Sequence, residues 1–199
     1  MSNEDEDEKI KLILIGESGV GKTNLINVST GKSFNEDEGS TLSSSYQLKQ
    51  IEINGISYNL SLWDTIGQEK LRNLSKLFFK NSKIAILVYN IANRASFNEL
   101  KFWLNSLKEM VKENIILGVA GNKKDLYQRE EVSEEEGEDY AKSNNAKFKL
   151  TSAKDDPEGF NEFLKELLTD YINSGDVREK NITLNKNKHN NKNKKKCNC

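Results

Sequence analysis

The sequence predicts an α/β domain: a six-stranded, mostly parallel sheet with one antiparallel edge strand and helices on both faces. Three observations lead there. The runs Ile10–Ile15, Ile84–Tyr89 and Ile115–Ala120 are almost continuously apolar, as strands covered on both faces should be. Segments with a helical apolar stripe alternate with these runs. Between the first two runs, Asn54-Gly55 separates two stretches of alternating apolar and polar residues, the strongest short signal for an antiparallel hairpin.

Residues 1–9 hold five acids and one lysine, a charge of −4, and read as a solvated, disordered lead-in. The first strand, a glycine-rich stretch and a helix to about Thr30, stopped near Gly31, open the domain of residues 10–174. Residues 32–45 have no periodicity and read as a mobile loop. Leu48, Ile51 and Ile53, then Ile56, Tyr58, Leu60 and Leu62, mark the hairpin strands. After the strand at 84–89, Ser96-x-x-Glu99 has the form of a capping box, and Leu100, Leu104, Leu107 and Val111 form a helical stripe. Ser133-x-x-Glu136 caps another helix. A short strand near Lys147–Leu150 precedes a last helix from about Pro157, a good first-turn residue. Phe160, Phe163, Leu164, Leu167 and Tyr171 line its buried face, and Gly175 ends it. These stripes are core packing. Ligands of such sheets bind at the carboxyl ends of the strands.

Chemistry concentrates at those ends. Gly16-Glu17-Ser18-Gly19-Val20-Gly21-Lys22-Thr23 joins the first strand to the first helix, the setting a G-x-x-x-x-G-K-[S/T] phosphate loop requires. Gly16, Gly19 and Gly21 permit positive φ and close approach of the backbone. Successive N–H groups and the helix N-terminus then favour a polyanion. Lys22 reaches the β/γ-phosphates, and the Thr23 hydroxyl suits Mg²⁺. A plain glycine-rich turn is the competing account. The hairpin's second strand runs into Trp63-Asp64-Thr65-Ile66-Gly67-Gln68-Glu69. There Asp64 is the expected second Mg²⁺ anchor, the Gly67 N–H suits a γ-phosphate, and Gln68 suits orienting water. Alone, that pattern is also a turn. The fifth strand ends in Gly121-Asn122-Lys123-Lys124-Asp125, where a carboxylate can accept from N1–H and the 2-amino group of guanine. Adenine has neither donor and would leave Asp125 desolvated and unpaired, at a cost of about 1–3 kcal/mol. An Asn/Asp turn is the bland alternative. At the next strand end lies Thr151-Ser152-Ala153-Lys154, where a small residue lets a backbone N–H meet the base's O6.

Together, in this order, these motifs resemble the Ras-superfamily small GTPases, most closely the Rab branch, over about residues 9–174. The resemblance implies a P-loop G domain that hydrolyses GTP to GDP and phosphate. It implies nucleotide contacts from Ser18, Gly19, Val20, Gly21, Lys22, Thr23, Asn24, Phe34, Thr41, Gly67, Asn122, Lys123, Asp125, Ser152, Ala153 and Lys154. Mg²⁺ falls to Thr23, Thr41 and Asp64, and catalysis to Gln68. Thr41 matches the switch I threonine that senses GTP, and Phe34 the aromatic stacked on guanine. L-V-Y-N-I and F-F-K-N-S resemble Rab signature segments, and Tyr46, Trp63 and Phe78 align with the aromatic triad read by Rab effectors. Two departures stand out. Rab proteins usually carry T-I-G-V-D-F where this chain has Thr41-Leu42-Ser43-Ser44-Ser45-Tyr46, and alanine where it has Ile66. A β-branched side chain there is expected to slow hydrolysis. A slow or non-hydrolysing pseudo-GTPase scaffold is therefore one alternative, and another P-loop enzyme, an ATPase or nucleotide kinase, is a second. The resemblance implies an exchange factor, a GAP, a GDP-dissociation inhibitor, Rab escort protein and effectors as partners. The G domain is expected to be monomeric.

Length and charge fit that reading. The 199 residues suit one domain with tails. Residues 175–199 carry +6 against −3 for residues 10–174, so only the arm suits an anionic partner, and a nucleic-acid groove across the body is not expected. The acidic start does not read as a secretory signal, and no apolar run approaches the ~20 residues of a membrane span. The Asn- and Lys-rich segment 176–196 is expected to be disordered. Cys197 and Cys199 are the two cysteines. They cannot staple a fold, which suits a reduced, intracellular protein, and they are too few for zinc. A nuclear-localisation reading of the lysines would ignore them. The C-x-C ending resembles the double geranylgeranylation site of Rab proteins. Two lipid chains anchor stably where one does not, and nearby lysines each add about 1 kcal/mol at an anionic leaflet. The expected location is the cytoplasmic face of an intracellular membrane, with a cytosolic pool.

Overall fold

Each apolar run of the sequence is a strand of one sheet. The computed structural model describes residues 9–36, 45–64, 76–111 and 114–175. Strands β1 (Lys9–Ile15), β2 (Ser45–Ile53), β3 (Ile56–Asp64), β4 (Ile84–Asn90), β5 (Ile116–Asn122) and β6 (Lys147–Leu150) lie in the order β2-β3-β1-β4-β5-β6. Only β2 and β3 pair antiparallel; the other four pairings are parallel. The helices are α1 (Lys22–Ser29), α2 (Arg94–Asn98), α3 (Leu100–Met110), α4 (Glu134–Ser143) and α5 (Pro157–Asn173).

Period-2 alternation divides the core. Leu12 and Leu14 face α1 and α5, where Leu25, Ile26, Phe160, Phe163, Leu164 and Leu167 are buried. Ile13 and Ile15 face α3, which contributes Leu100, Trp103, Leu104 and Leu107. Each large apolar side chain so removed from water contributes about 1.5–3 kcal/mol. The hairpin obeys the same parity: Ile51 and Ile53 point inward, while Leu48, three residues earlier, stands on the other face and is 55% exposed. Gly55, in the turn, has φ +75°.

Two of the three expected helix starts hold. The Ser133 hydroxyl accepts from the Glu136 N–H and the Glu136 carboxylate from the Ser133 N–H, a full capping box. Asp156 caps α5 through the Gly159 N–H, with Pro157 as the first helical residue. The expected box at Ser96 and Glu99 does not form. Asn93 is the cap, accepting from the Ser96 N–H at 3.1 Å. The Ser96 hydroxyl turns back to the Asn93 carbonyl instead, so the helix begins earlier and breaks at Glu99.

Gly137 lies inside α4, where glycine normally weakens a helix. A Cβ there would sit 2.5 Å from both the Tyr89 hydroxyl and the Phe148 ring. Alanine at an open helical position gains about 0.5–1 kcal/mol over glycine. Gly137→Ala is expected instead to destabilise by about 1–3 kcal/mol through overpacking, read from the midpoint of chemical denaturation.

Candidate nucleotide-binding site

The loop from Ile15 to Lys22 lies flush against the ends of β4 and β5; two of its glycines, Gly16 and Gly21, are forced by space as well as by φ, whereas Gly19 is required by φ alone. A Cβ on Gly16 (φ +149°) would fall 2.1 Å from the Val88 carbonyl oxygen. One on Gly21 (φ +97°) would fall 2.5 Å from Asn122 Nδ2. Gly21 caps α1 without a side-chain bond, so the first-turn N–H groups point into the loop's concavity, where an anion is favoured. Lys22 is 5% exposed. Its ammonium donates to the carbonyls of Gly16 at 2.9 Å and Glu17 at 2.8 Å. Burial pushes its pKa down to about 8, against the opposing pull of the Asp64 and Glu17 charges. A phosphate would supply compensating charge at this point.

Strand register sets the second feature. Asp64, the last residue of β3, pairs with Leu14 of β1 and so ends beside the phosphate loop. Its Oδ2 accepts from the Thr23 hydroxyl at 2.6 Å, and Asp64 is 4% exposed. A hydroxyl and a carboxylate oxygen together are hard donors that suit Mg²⁺, with the remaining positions going to water and phosphate oxygens. Among the described residues no group of three His, Cys, Asp or Glu forms an all-protein cage. Thr23 and Asp64 thus bring two oxygen donors together of the kind Mg²⁺ takes.

The third feature is assembled by one buried side chain. Asn122, 1% exposed, donates through Nδ2 to the Val20 carbonyl at 2.8 Å and accepts at Oδ1 from the Thr151 hydroxyl at 3.2 Å. Lys123 follows with φ +65°, which turns the chain out of the strand. The Ser152 hydroxyl donates to Asp125 Oδ1 at 2.6 Å and itself accepts from the Asp155 N–H. Ala153 is buried and Lys154 exposed. The phosphate loop, the Asn122–Asp125 turn and the Thr151–Lys154 turn thus meet at one place.

Phe34 is half-buried and packs against the core cluster shared by α1 and α5. The ring centroids of Tyr46 and Trp63 stack at 5.0 Å, and those of Trp63 and Phe78 lie 6.3 Å apart. The three aromatics expected to act together are therefore contiguous: Tyr46 and Trp63 face each other across β2 and β3, and Phe78, in the turn Lys76–Phe79, adjoins Trp63. Thr41, Ile66, Gly67, Gln68, Cys197 and Cys199 lie outside the described residues.

Several contacts escaped the sequence reading. The Trp103 indole on α3 donates to Glu17 of the phosphate loop at 3.1 Å, across 86 residues with no local pattern to announce it. The Asn24 amide bonds Asn35, and Lys154 approaches Glu36. Those partners lie in a segment whose composition signals only a loop.

Comparison with known proteins agrees with this geometry. Residues 11–173 match the profile of the Ras family. The Ras-related protein Rab-21 of Bos taurus is 38% identical over 170 residues, covering 85% of this chain and 76% of that protein. Its Homo sapiens counterpart is also 38% identical over 170 residues, 85% of this chain and 75% of that protein. The Ras-related protein Rab-30 of Homo sapiens is 36% identical over 155 residues, 78% of this chain and 76% of that protein. By profile, by similarity and by fold, this chain belongs to the Ras family, as a Rab-type small GTPase.

Proposed function

We propose that the chain is a membrane-anchored GTP/GDP switch that regulates intracellular vesicle traffic. The joint made by Asn122 carries the nucleotide assignment. It ties the phosphate loop to Thr151, whose neighbour Ser152 holds the Asp125 carboxylate, an arrangement that supports reading phosphates and guanine at once. In this reading residues 18–24 wrap the phosphates, with Lys22 neutralising them. Asp125, oriented by Ser152, accepts from the guanine edge, and the Ala153 N–H meets O6. Asn122 and Lys123 support the base and ribose side, with Phe34 and Lys154 flanking the base. Thr23, Asp64 and Thr41 would hold Mg²⁺, which when bound neutralises charge on the β- and γ-phosphates. Thr41 and Gly67 sense the γ-phosphate, so residues 32–46 and 65–80 respond to its loss. Gln68 orients the attacking water.

The sequence around that glutamine also motivates the pseudo-GTPase alternative. Ile66 places a branched side chain one residue from Gly67. Intrinsic hydrolysis is expected to be slow, with a GAP supplying the rate in trans. Ile66→Ala should clearly raise the single-turnover rate of GTP hydrolysis. An unchanged rate would remove Ile66 as the cause.

Anchoring is assigned to the C-terminal pair, Cys197 and Cys199, with Lys194-Lys195-Lys196 supplying charge. No described helix is long and apolar enough to cross a membrane. We place the protein on the cytoplasmic face of an intracellular membrane with a cytosolic pool, served by escort protein, GDP-dissociation inhibitor, exchange factor, GAP and effectors. The exposed Tyr46 and its neighbours Trp63 and Phe78 are the proposed effector contact. Cys197→Ser/Cys199→Ser should move the protein from the membrane pellet to the supernatant on fractionation. A double variant that still pellets would exclude lipidation as the anchor.

A further inference from the structure

We propose that Asn24 is a positioning residue that sets how long the nucleotide stays bound, by clamping residues 34–36 as a strap across the cleft. The inference rests on the nucleotide reading above. Asn24 directly follows Thr23, in the first turn of α1. Its Nδ2 donates to the Asn35 carbonyl at 2.8 Å, and its Oδ1 accepts from the Asn35 N–H at 3.0 Å. One planar side-chain amide thus mimics a strand partner and saturates both backbone groups of a loop residue that has no ladder of its own. Asn24 is only 9% exposed, so its amide is shielded on the helix side, while Asn35 itself stands at the surface.

The strap has a second end. Glu36 lies 4.0 Å from the Lys154 ammonium, and Lys154 belongs to the turn whose Ser152 holds Asp125. Residues 34–36 therefore run from the phosphate-loop helix to the base-reading turn, closing one side of the space between them. The two ends are unequal. The Glu36 and Lys154 side chains are 80% and 48% exposed, and such a pair contributes little. The amide pair is the stronger fastening. A nucleotide seated under the strap leaves when the strap opens, and the clamp lowers the open population.

The test is release of a fluorescent GDP analogue from the full-length chain, chased with excess GDP in Mg²⁺. Asn24→Ala retains the helix and its backbone N–H but loses both bonds, and should release GDP about tenfold faster. Glu36→Gln should change release less than about twofold. A double-mutant cycle separates clamping from mere support of α1. With the neighbouring ring removed by Phe34→Ala, Asn24→Ala should add less than about threefold, because the strap's grip is already lost. Unchanged release in Asn24→Ala, or a tenfold effect undiminished in the Phe34→Ala background, would overturn the proposal. Should Asn24→Ala not fold, Asn24→Ser, neutral and too short to engage both backbone groups of Asn35, must give the same acceleration. A wild-type chain that retains no labelled GDP would instead bring down the nucleotide reading, and the clamp with it.

Discussion

The site depends on one buried amide. Asn122 reaches from the end of β5 to the phosphate loop 102 positions earlier in the chain and to Thr151 at the end of β6. Its donor and acceptor are both engaged in an environment where an unsatisfied amide is costly. Three loops that share no sequence neighbourhood are thereby held in one relative geometry. Gly21 belongs to the same constraint, since a Cβ there would collide with the Asn122 nitrogen. Gly21 of the phosphate loop thus serves the joint itself.

That joint can exist only because the sheet brings its strand ends together. Parallel pairing of β1 with both β3 and β4, and of β5 with β4 and β6, puts Ile15, Asp64, Asn90, Asn122 and Leu150 along one edge. Helix α5 fixes the far side of that sheet. Gly118 lets Leu167 and Phe163 press against β5, since a Cβ there would lie 2.8 Å from Leu167. Burial supplies the stability, and the strand ends, where Asp64 and Asn122 are themselves buried, place the polar groups of the site. Lys22 shows the consequence: it is stripped of water and held by neutral carbonyls, with its pKa depressed.

The parts legible in the sequence are those whose physics is local. Continuous apolar runs gave the parallel strands, Asn54-Gly55 the hairpin, and Pro157 and Ser133 the starts of two helices. The Gly16–Thr23 loop and the Asn122–Asp125 motif are legible because the phosphate binding and base reading proposed for them demand fixed residue types at short spacing. What failed to show was either ambiguous or distant. Ser96-x-x-Glu99 has the letters of a capping box, but Asn93, three residues upstream, is an equally good cap and wins. Leu48 shares the apolar run of Ile51 and Ile53, but its even position puts it on the opposite face. Asn24 with Asn35, Glu17 with Trp103, and Lys154 with Glu36 are side-chain meetings set by tertiary packing, and no period or motif encodes them.

The most direct measurement compares equilibrium binding of Mg·GDP and Mg·ADP to the full-length chain under identical conditions. If the Asn122 joint presents Asp125 to the base while Lys22 and Thr23 hold the phosphates, the two ligands share every phosphate contact and differ only at the base edge. A site built to pair hydrogen bonds rejects an analogue that lacks them strongly. GDP should therefore bind at least about a hundredfold more tightly than ADP. Equal affinities would contradict the account, because they would leave Asp125 and its Ser152 partner with no part in recognition.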